Sequence, residues 1–112
     1  MVHELVVLVT ASSREEAAAI AEALVSERLA ACVNIVAAIE SVYKWEGKIA
    51  RDNEALMIIK TNSARYSDLE RRVRELHSYS TPEVVALRID RGSEQYLNWL
   101  RDSIATDQHQ AD

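Results

Sequence analysis

The fold is decided by residues 32–61, which read CVNIVAAIESVYKWEGKIARDNEALMIIKT. Over residues 32–45 the odd positions are mostly apolar and the even positions are often polar, which is the period of a half-buried strand. Glu46 and Gly47 are candidates for a two-residue turn, and residues 49–61 then return as a second strand. The stretch therefore predicts one long β-hairpin.

A hairpin of this length extends past the domain that carries it. Residues 32–45 would span roughly 45 Å at about 3.3 Å per residue, whereas a compact chain of 112 residues is roughly 34 Å across. The distal end carries Val42, Tyr43 and Trp45, which an isolated two-stranded ribbon cannot bury. We therefore expect these three side chains to lie in an interface between copies of the chain.

One alternative keeps the hairpin within a single chain. A β-bulge around residues 37–38 or 40–41 would bend the strand and allow the tip to pack on its own domain. The mass in solution distinguishes the two arrangements. Sedimentation at micromolar concentration should give a species heavier than the 12.6 kDa chain, and a monomer would contradict the interface.

The segments on either side of the hairpin predict the rest of the fold. In chain order they are a mid-sheet strand over residues 5–9 with both faces buried, a helix over residues 14–28, a helix over residues 64–77, a strand over residues 83–89 and a terminal helix that opens at residues 92–93. Ser13 and Glu16 form a capping box for the first helix. The order β-α-β-β-α-β is that of an α+β, ferredoxin-like sandwich, with both helices on one face of an antiparallel sheet and an extra C-terminal helix. We expect a single domain over residues 1–112, with a polar tail at residues 106–112.

Composition and net charge exclude several classes of binding partner and indicate where the protein is located. The chain has 13 Lys and Arg against 18 Asp and Glu, a formal net charge of -5, which opposes binding to nucleic acid or to acidic membranes. The longest apolar run, residues 5–9, is too short to cross a membrane, and no targeting segment is visible. Its single cysteine cannot close an internal disulfide, so a cytoplasmic location is expected.

The sequence lacks the motifs that several common activities require. The two glycines, Gly47 and Gly92, lie too far apart for a glycine-rich nucleotide loop. No serine lies in a nucleophile elbow, the segment after the first strand has no Cys-x-x-Cys pair, and the central strands carry no aromatic platform for RNA. These absences exclude the common nucleotide-binding loops, a nucleophile-elbow hydrolase, a ferredoxin-like copper chaperone and an RNA-recognition domain.

Five stretches occur in a recognisable order over nearly the whole chain. They are ACVNI at 31–35, SVYKWEGKI at 41–49, KT at 60–61, HSY with TPE at 77–83, and YLNW at 96–99. Together they resemble the CutA divalent-ion tolerance proteins. The resemblance implies a ferredoxin-like fold, a tight homotrimer formed through the long strands, a cytoplasmic setting, and a non-enzymatic role in tolerance of copper and other divalent metals.

The chain departs from that family in its loop and at the proposed copper ligands. The family loop usually reads His-Pro-Tyr, and Ser78 replaces the proline here, which predicts a less rigid start to the loop. Copper ligands proposed in a bacterial member correspond to Val9, Leu76 and His77, so a single imidazole remains. One imidazole binds metal weakly. No cofactor is required, and Cu(II) or another divalent metal is expected at most as a weak ligand.

Two sets of candidate site residues follow. Lys60, His77, Tyr79 and Glu83 fall in the matching stretches, and we place them around a cleft that binds a metal or a small molecule. His77 and Cys32 are the candidate metal ligands. The alternatives are that His77 only caps its helix and that Cys32 is an inert small apolar residue.

Two functions remain open. The first is the metal-tolerance protein that the resemblance implies. The second is a trimeric signalling module, similar in architecture to the PII regulators, that binds a metabolite or nucleotide at clefts between subunits. Calorimetric titration with Cu(II), Zn(II) and nucleotides would separate them.

Overall fold

The computed structural model describes residues 1–105. The elements are β1 (Glu4–Ala11), α1 (Arg14–Ser26), β2 (Cys32–Trp45), β3 (Lys48–Asn62), α2 (Tyr66–Leu76), β4 (Val84–Arg88) and α3 (Glu94–Ile104). The four strands form one antiparallel sheet in the order β2-β3-β1-β4. The predicted ferredoxin-like order is confirmed, and the expected tail at 106–112 lies outside the described residues.

The long hairpin has the predicted length and turn. β2 begins and ends at the predicted residues, and the turn places Glu46 at φ 52° and Gly47 at φ 80°. Two consecutive positive φ values define a mirror-image turn, whose twist matches that of the flanking strands. The described part of the chain is 55 Å along its longest axis and 28 × 23 Å across.

β2 contains the bulge that the sequence allowed, but the bulge does not fold the tip onto the domain. Between Val36 and Ile39 the strand advances three residues while its partner strand advances two, which inserts one extra residue. Beyond it, Tyr43 remains 40% exposed and Trp45 63% exposed. The tip therefore lacks cover from its own chain.

The core lies between α1, α2 and one face of the sheet. Its side chains alternate along the strands and recur at helical spacing, as expected for one buried face on each element. They include Val7 and Val9 of β1, Met57 and Ile59 of β3, Ile20 and Leu24 of α1, and Leu69 and Val73 of α2. Both helices thus cover the same side of the sheet, as predicted.

The other side of the sheet, here called the open face, is also apolar. Its apolar side chains are Val6, Leu8, Val36, Leu56, Ile58, Val85 and Leu87. Val85 is 46% exposed and Leu87 55% exposed, while Val6 and Leu8 are half-buried. The prediction that residues 5–9 are buried on both faces was wrong for the single chain, because α1 and α2 occupy only one side.

α3 packs at one end of the sheet. The Ser93 hydroxyl caps the helix by accepting a hydrogen bond from the Tyr96 amide at 3.2 Å. Leu100 and Ile104 are buried against Ala31. None of the helices among residues 1–105 is long and apolar enough to span a bilayer.

Replacement of Gly47 by Ala should lower the free energy of unfolding by about 1 kcal/mol. A Cβ there would meet no atom within 4 Å, so the cost arises from the left-handed backbone alone. Glu46→Gly, at the neighbouring left-handed position, is the matched control and should be close to neutral. Chemical denaturation measures both, and a Gly47→Ala variant as stable as the wild type would contradict the assignment.

Candidate functional site

A cleft of about 760 Å³ lies between the distal part of the hairpin and the segment that follows α2. We call it the hairpin cleft. Its lining consists of Ser41, Val42, Tyr43, Trp45, Asp52, Glu54, Tyr79, Ser80, Thr81 and Glu83. Three of these residues are carboxylates and three are aromatic, and no lysine, arginine or histidine occurs among the described residues that line it. The hairpin cleft is therefore acidic.

Two tyrosine-carboxylate pairs form its walls. The Tyr79 hydroxyl donates to Glu54 at 2.8 Å, and the Tyr43 hydroxyl donates to Asp52. β1 ends at Ala11, opposite Ala55, so Glu54 lies just beyond the last β1 pair, where Tyr79 can reach it. Both carboxylates keep further lone pairs available for a ligand.

These pairs also fix the protonation of the tyrosines. Burial and the hydrogen bond to Glu54 raise the pKa of Tyr79 to about 12, and the hydrogen bond to Asp52 raises the pKa of Tyr43. A neighbouring carboxylate disfavours the phenolate. At neutral pH the tyrosines are therefore neutral donors, and the charge of the cleft comes from its carboxylates.

His77 does not line the hairpin cleft but contacts Tyr79, which does. Its side chain is fully buried, its Nε2–H donates to the Thr10 carbonyl at 2.7 Å, and its Nδ1 accepts the Tyr79 amide at 3.0 Å. These partners assign the ring proton to Nε2. Because both nitrogens are engaged, this imidazole has no free lone pair for a metal, and it does not bond to the carbonyls at the end of its own helix as a capping side chain would.

Glu16 is a site residue whose sequence context predicts only a role in a helix cap. Its Oε1 accepts the amide and hydroxyl of Ser12 at 2.9 and 2.7 Å, and its Oε2 accepts the Ser78 amide at 2.7 Å. The Ser13 hydroxyl accepts the Glu16 amide, so half of the predicted capping box is present, while the carboxylate bonds to Ser12 instead. Although burial opposes ionisation, the hydrogen bonds from Ser12 and Ser78 lower the pKa of Glu16 to about 2.

The structure brings together only part of the predicted cleft set. Tyr79 and Glu83 line the hairpin cleft, and His77 contacts Tyr79 with their ring centroids 4.7 Å apart. Lys60 is not among the lining residues. It lies on the open face, where its ammonium donates to Asn34.

Cys32 and His77, the two candidate metal ligands, do not form a common site in the chain. The Cys32 sulfur lies 3.6 Å from the Tyr96 hydroxyl. Across the sheet, Cys32 pairs with Lys60 and Lys60 pairs with Val6 of β1. Val6 lies four residues, or roughly 13 Å, along β1 from Thr10, whose carbonyl His77 contacts. Residues 1–105 contain no group of three or more His, Cys, Asp or Glu side chains placed to hold one metal ion.

Known proteins share this fold over nearly the whole chain. The crystal structure of CutA1 from Oryza sativa superposes with a TM-score of 0.90 at 46% identity, covering 93% of this chain and 95% of that one. The divalent cation tolerance protein of Thermus thermophilus gives a TM-score of 0.88 at 49% identity, covering 91% and 99%. The protein is thus an α+β domain of the CutA1 type.

Sequence comparison gives the family. The family of CutA1 divalent ion tolerance proteins matches residues 5–103. The divalent-cation tolerance protein CutA of Thermus thermophilus is 50% identical over 100 residues, which are 89% of this chain and 97% of the relative. The chloroplastic CutA protein of Arabidopsis thaliana is 50% identical over 102 residues, 91% of this chain but 56% of the relative. The chain belongs to the CutA1 divalent ion tolerance family.

The low pKa of Glu16 predicts a pH-dependent contribution to stability. Its folded pKa of about 2 lies below the ordinary 4.5, so the contribution is complete above about pH 4.5 and is lost as the pH falls towards 2. The difference in Tm between the wild type and Glu16→Gln should therefore shrink over that range. Thermal unfolding from pH 6 to pH 2 measures it, with Glu15→Gln as the control, and a constant difference would contradict the assignment.

Proposed function

We propose that this chain functions in tolerance of divalent cations, copper among them, as a non-enzymatic homotrimer in the cytoplasm. Membership of the CutA1 family supports the general role. The observation that carries the proposal is the acidic hairpin cleft, with Asp52, Glu54 and Glu83 and no cationic side chain among its described lining. Such a surface attracts cations and repels anions.

The open face supports the homo-oligomer. A contiguous apolar sheet face with Val85 and Leu87 half exposed is unusual for a monomer and typical of a subunit interface. Val42, Tyr43 and Trp45 at the hairpin tip likewise lack cover in the single chain. A second copy is the partner that fits both surfaces. Because Val42, Tyr43 and Trp45 also line the hairpin cleft, the cleft in this proposal lies at the boundary between two subunits. The number three comes from the resemblance to the family.

Leu87→Arg should dissociate the homotrimer, because it places a charge on the open face that burial would have to desolvate. Ala86→Arg is the matched control, since Ala86 is exposed on the same strand but pairs with the core residue Val7, on the opposite face. Sedimentation equilibrium should give about three times the 12.6 kDa chain mass for the wild type and the control. A Leu87→Arg variant that keeps the wild-type mass would contradict the open-face interface.

Cation binding at the hairpin cleft should be weak and reversible. Tight chelation needs several ligands converging on one ion, and the described residues offer no such group. Glu83 is exposed and makes no hydrogen bond or ion pair with the described residues, so it is the carboxylate most accessible to a hydrated cation. No resident cofactor is required by this proposal.

Glu83→Gln should weaken Cu(II) binding by about fivefold or more, because it removes the accessible charge. Glu22→Gln is the control: it also removes one negative charge, but from an exposed residue that does not line the cleft. Isothermal titration with Cu(II) and Zn(II) measures both. Equal affinities in the wild type and Glu83→Gln would place the cation elsewhere, and no heat of binding in the wild type would contradict a direct cation role.

The size of the cleft supports a second candidate, a PII-like module that binds a small metabolite. A volume of about 760 Å³ is in the range of small-molecule sites. The three carboxylates oppose nucleotide phosphates and favour a neutral or cationic metabolite. Titration with Cu(II) and with a panel of nucleotides and of neutral and cationic metabolites is the discriminating experiment, because binding of a metabolite or nucleotide without metal binding would favour the signalling module.

The cleft offers little to a catalytic mechanism. A serine or threonine nucleophile needs a base within hydrogen-bonding distance. The hydroxyls of Ser41, Ser80 and Thr81, which line the cleft, make no hydrogen bond within the described residues, and the imidazole of His77 uses both nitrogens in bonds to backbone groups. This arrangement supports a binding role over a hydrolytic one.

A further inference from the structure

We propose that Glu16 is the positioning residue of the hairpin cleft. Its carboxylate fastens residues 77–83, the segment that carries Tyr79 and Glu83 into the cleft, to the end of β1. This inference rests on the proposed function, because it takes the hairpin cleft to be the site where the ligand binds.

The carboxylate bridges two parts of the chain that are distant in sequence. One oxygen accepts from the amide and hydroxyl of Ser12, immediately after β1. The other accepts from the amide of Ser78, 62 residues away, at 2.7 Å. The Glu16 side chain is only 15% exposed, although its donors Ser12 and Ser78 are exposed residues. Bonds to an ionised carboxylate are stronger than bonds between neutral groups.

The bridge is continuous with the cleft wall. Ser78 lies between His77, which is fixed on Thr10, and Tyr79, whose hydroxyl is fixed on Glu54. Three consecutive residues are therefore anchored at three separate points of the body of the domain. The following residues Ser80 and Thr81 have no hydrogen bond within the described part of the chain, so their direction is set by the anchored residues.

An amide cannot replace this carboxylate. Both oxygens of Glu16 face N–H or O–H donors, and a glutamine of the same shape has one acceptor oxygen and one donor NH₂ group. In either orientation Glu16→Gln would point a donor at the donors of Ser12 or at the Ser78 amide. This variant therefore breaks the bridge without creating a cavity.

The first test needs no ligand. Amide hydrogen exchange, read by NMR, should be about tenfold faster at Ser78 in Glu16→Gln, because the Ser78 amide loses its charged acceptor in either orientation of the glutamine side chain, and unchanged at Leu24 in the buried face of α1. Glu15→Gln, on the exposed side of the same helical turn, should leave both amides as in the wild type. Exchange at Ser78 that is equally slow in Glu16→Gln would overturn the proposal.

The second test deletes the other half of the bridge. Ser78→Pro removes the amide donor, and His77, at φ -79° and ψ 143°, already has the extended backbone that a following proline requires. Glu16→Gln should weaken Cu(II) binding about fivefold when Ser78 is present and less than about twofold in the Ser78→Pro background. Equal weakening in both backgrounds would overturn the proposal, since Glu16 would then act elsewhere.

The two tests separate this inference from the proposed function. A wild-type protein that does not bind Cu(II) contradicts the cation role of the cleft, and hydrogen exchange at Ser78 still decides whether Glu16 fastens the segment. Binding that is equal in the wild type and Glu16→Gln, with exchange at Ser78 accelerated, would show that the segment is fastened without positioning the site, which overturns the proposal while leaving the cation role intact.

Discussion

The single extra residue in β2 determines where the side chains of the hairpin tip point. Before the bulge, even-numbered residues of β2 such as Val36 share a face with Leu56 of β3. After it, odd-numbered residues share that face, and Ile39 pairs with Glu54. Without the bulge Tyr43 and Trp45 would face away from Asp52 and Glu54. The hairpin cleft depends on this one-residue change of register.

The same bulge marks the limit of what the sequence could predict about the fold. The alternation of residues 32–45 predicted the strand and both of its ends, and Glu46 and Gly47 were correctly predicted to form a two-residue turn. That alternation was interpreted as one continuous apolar face. In the structure Val33 packs on the core while Tyr43 lies on the opposite side of the sheet, because a period of two residues carries no record of an inserted one.

The site was predictable where its residues lie in recognisable motifs and unpredictable where it depends on contacts between distant segments. Tyr79 and Glu83 could be placed at a cleft because the resemblance to CutA proteins identified their loop. Nothing in the sequence connects Glu16 to Ser78, since the first belongs to a helix cap and the second follows another helix. Lys60 was predicted to lie near His77 in a cleft between subunits. In the single chain the alternation along β3 places it on the open face, opposite Val6 and in contact with Asn34.

Ser78 shows how backbone chemistry changes the interpretation of the loop. As a replacement for proline it suggested a less rigid start, because proline restricts the backbone. The structure gives serine a compensating property, since its amide hydrogen, which proline lacks, donates to an ionised carboxylate that is mostly shielded from water. A charged hydrogen bond of this kind contributes about 1.5–3 kcal/mol, whereas fixing a backbone residue costs about 1–2 kcal/mol of conformational entropy. The two magnitudes are comparable, so the loop of this chain can be held as firmly by Glu16 as it would be by a proline ring, through a contact that depends on charge.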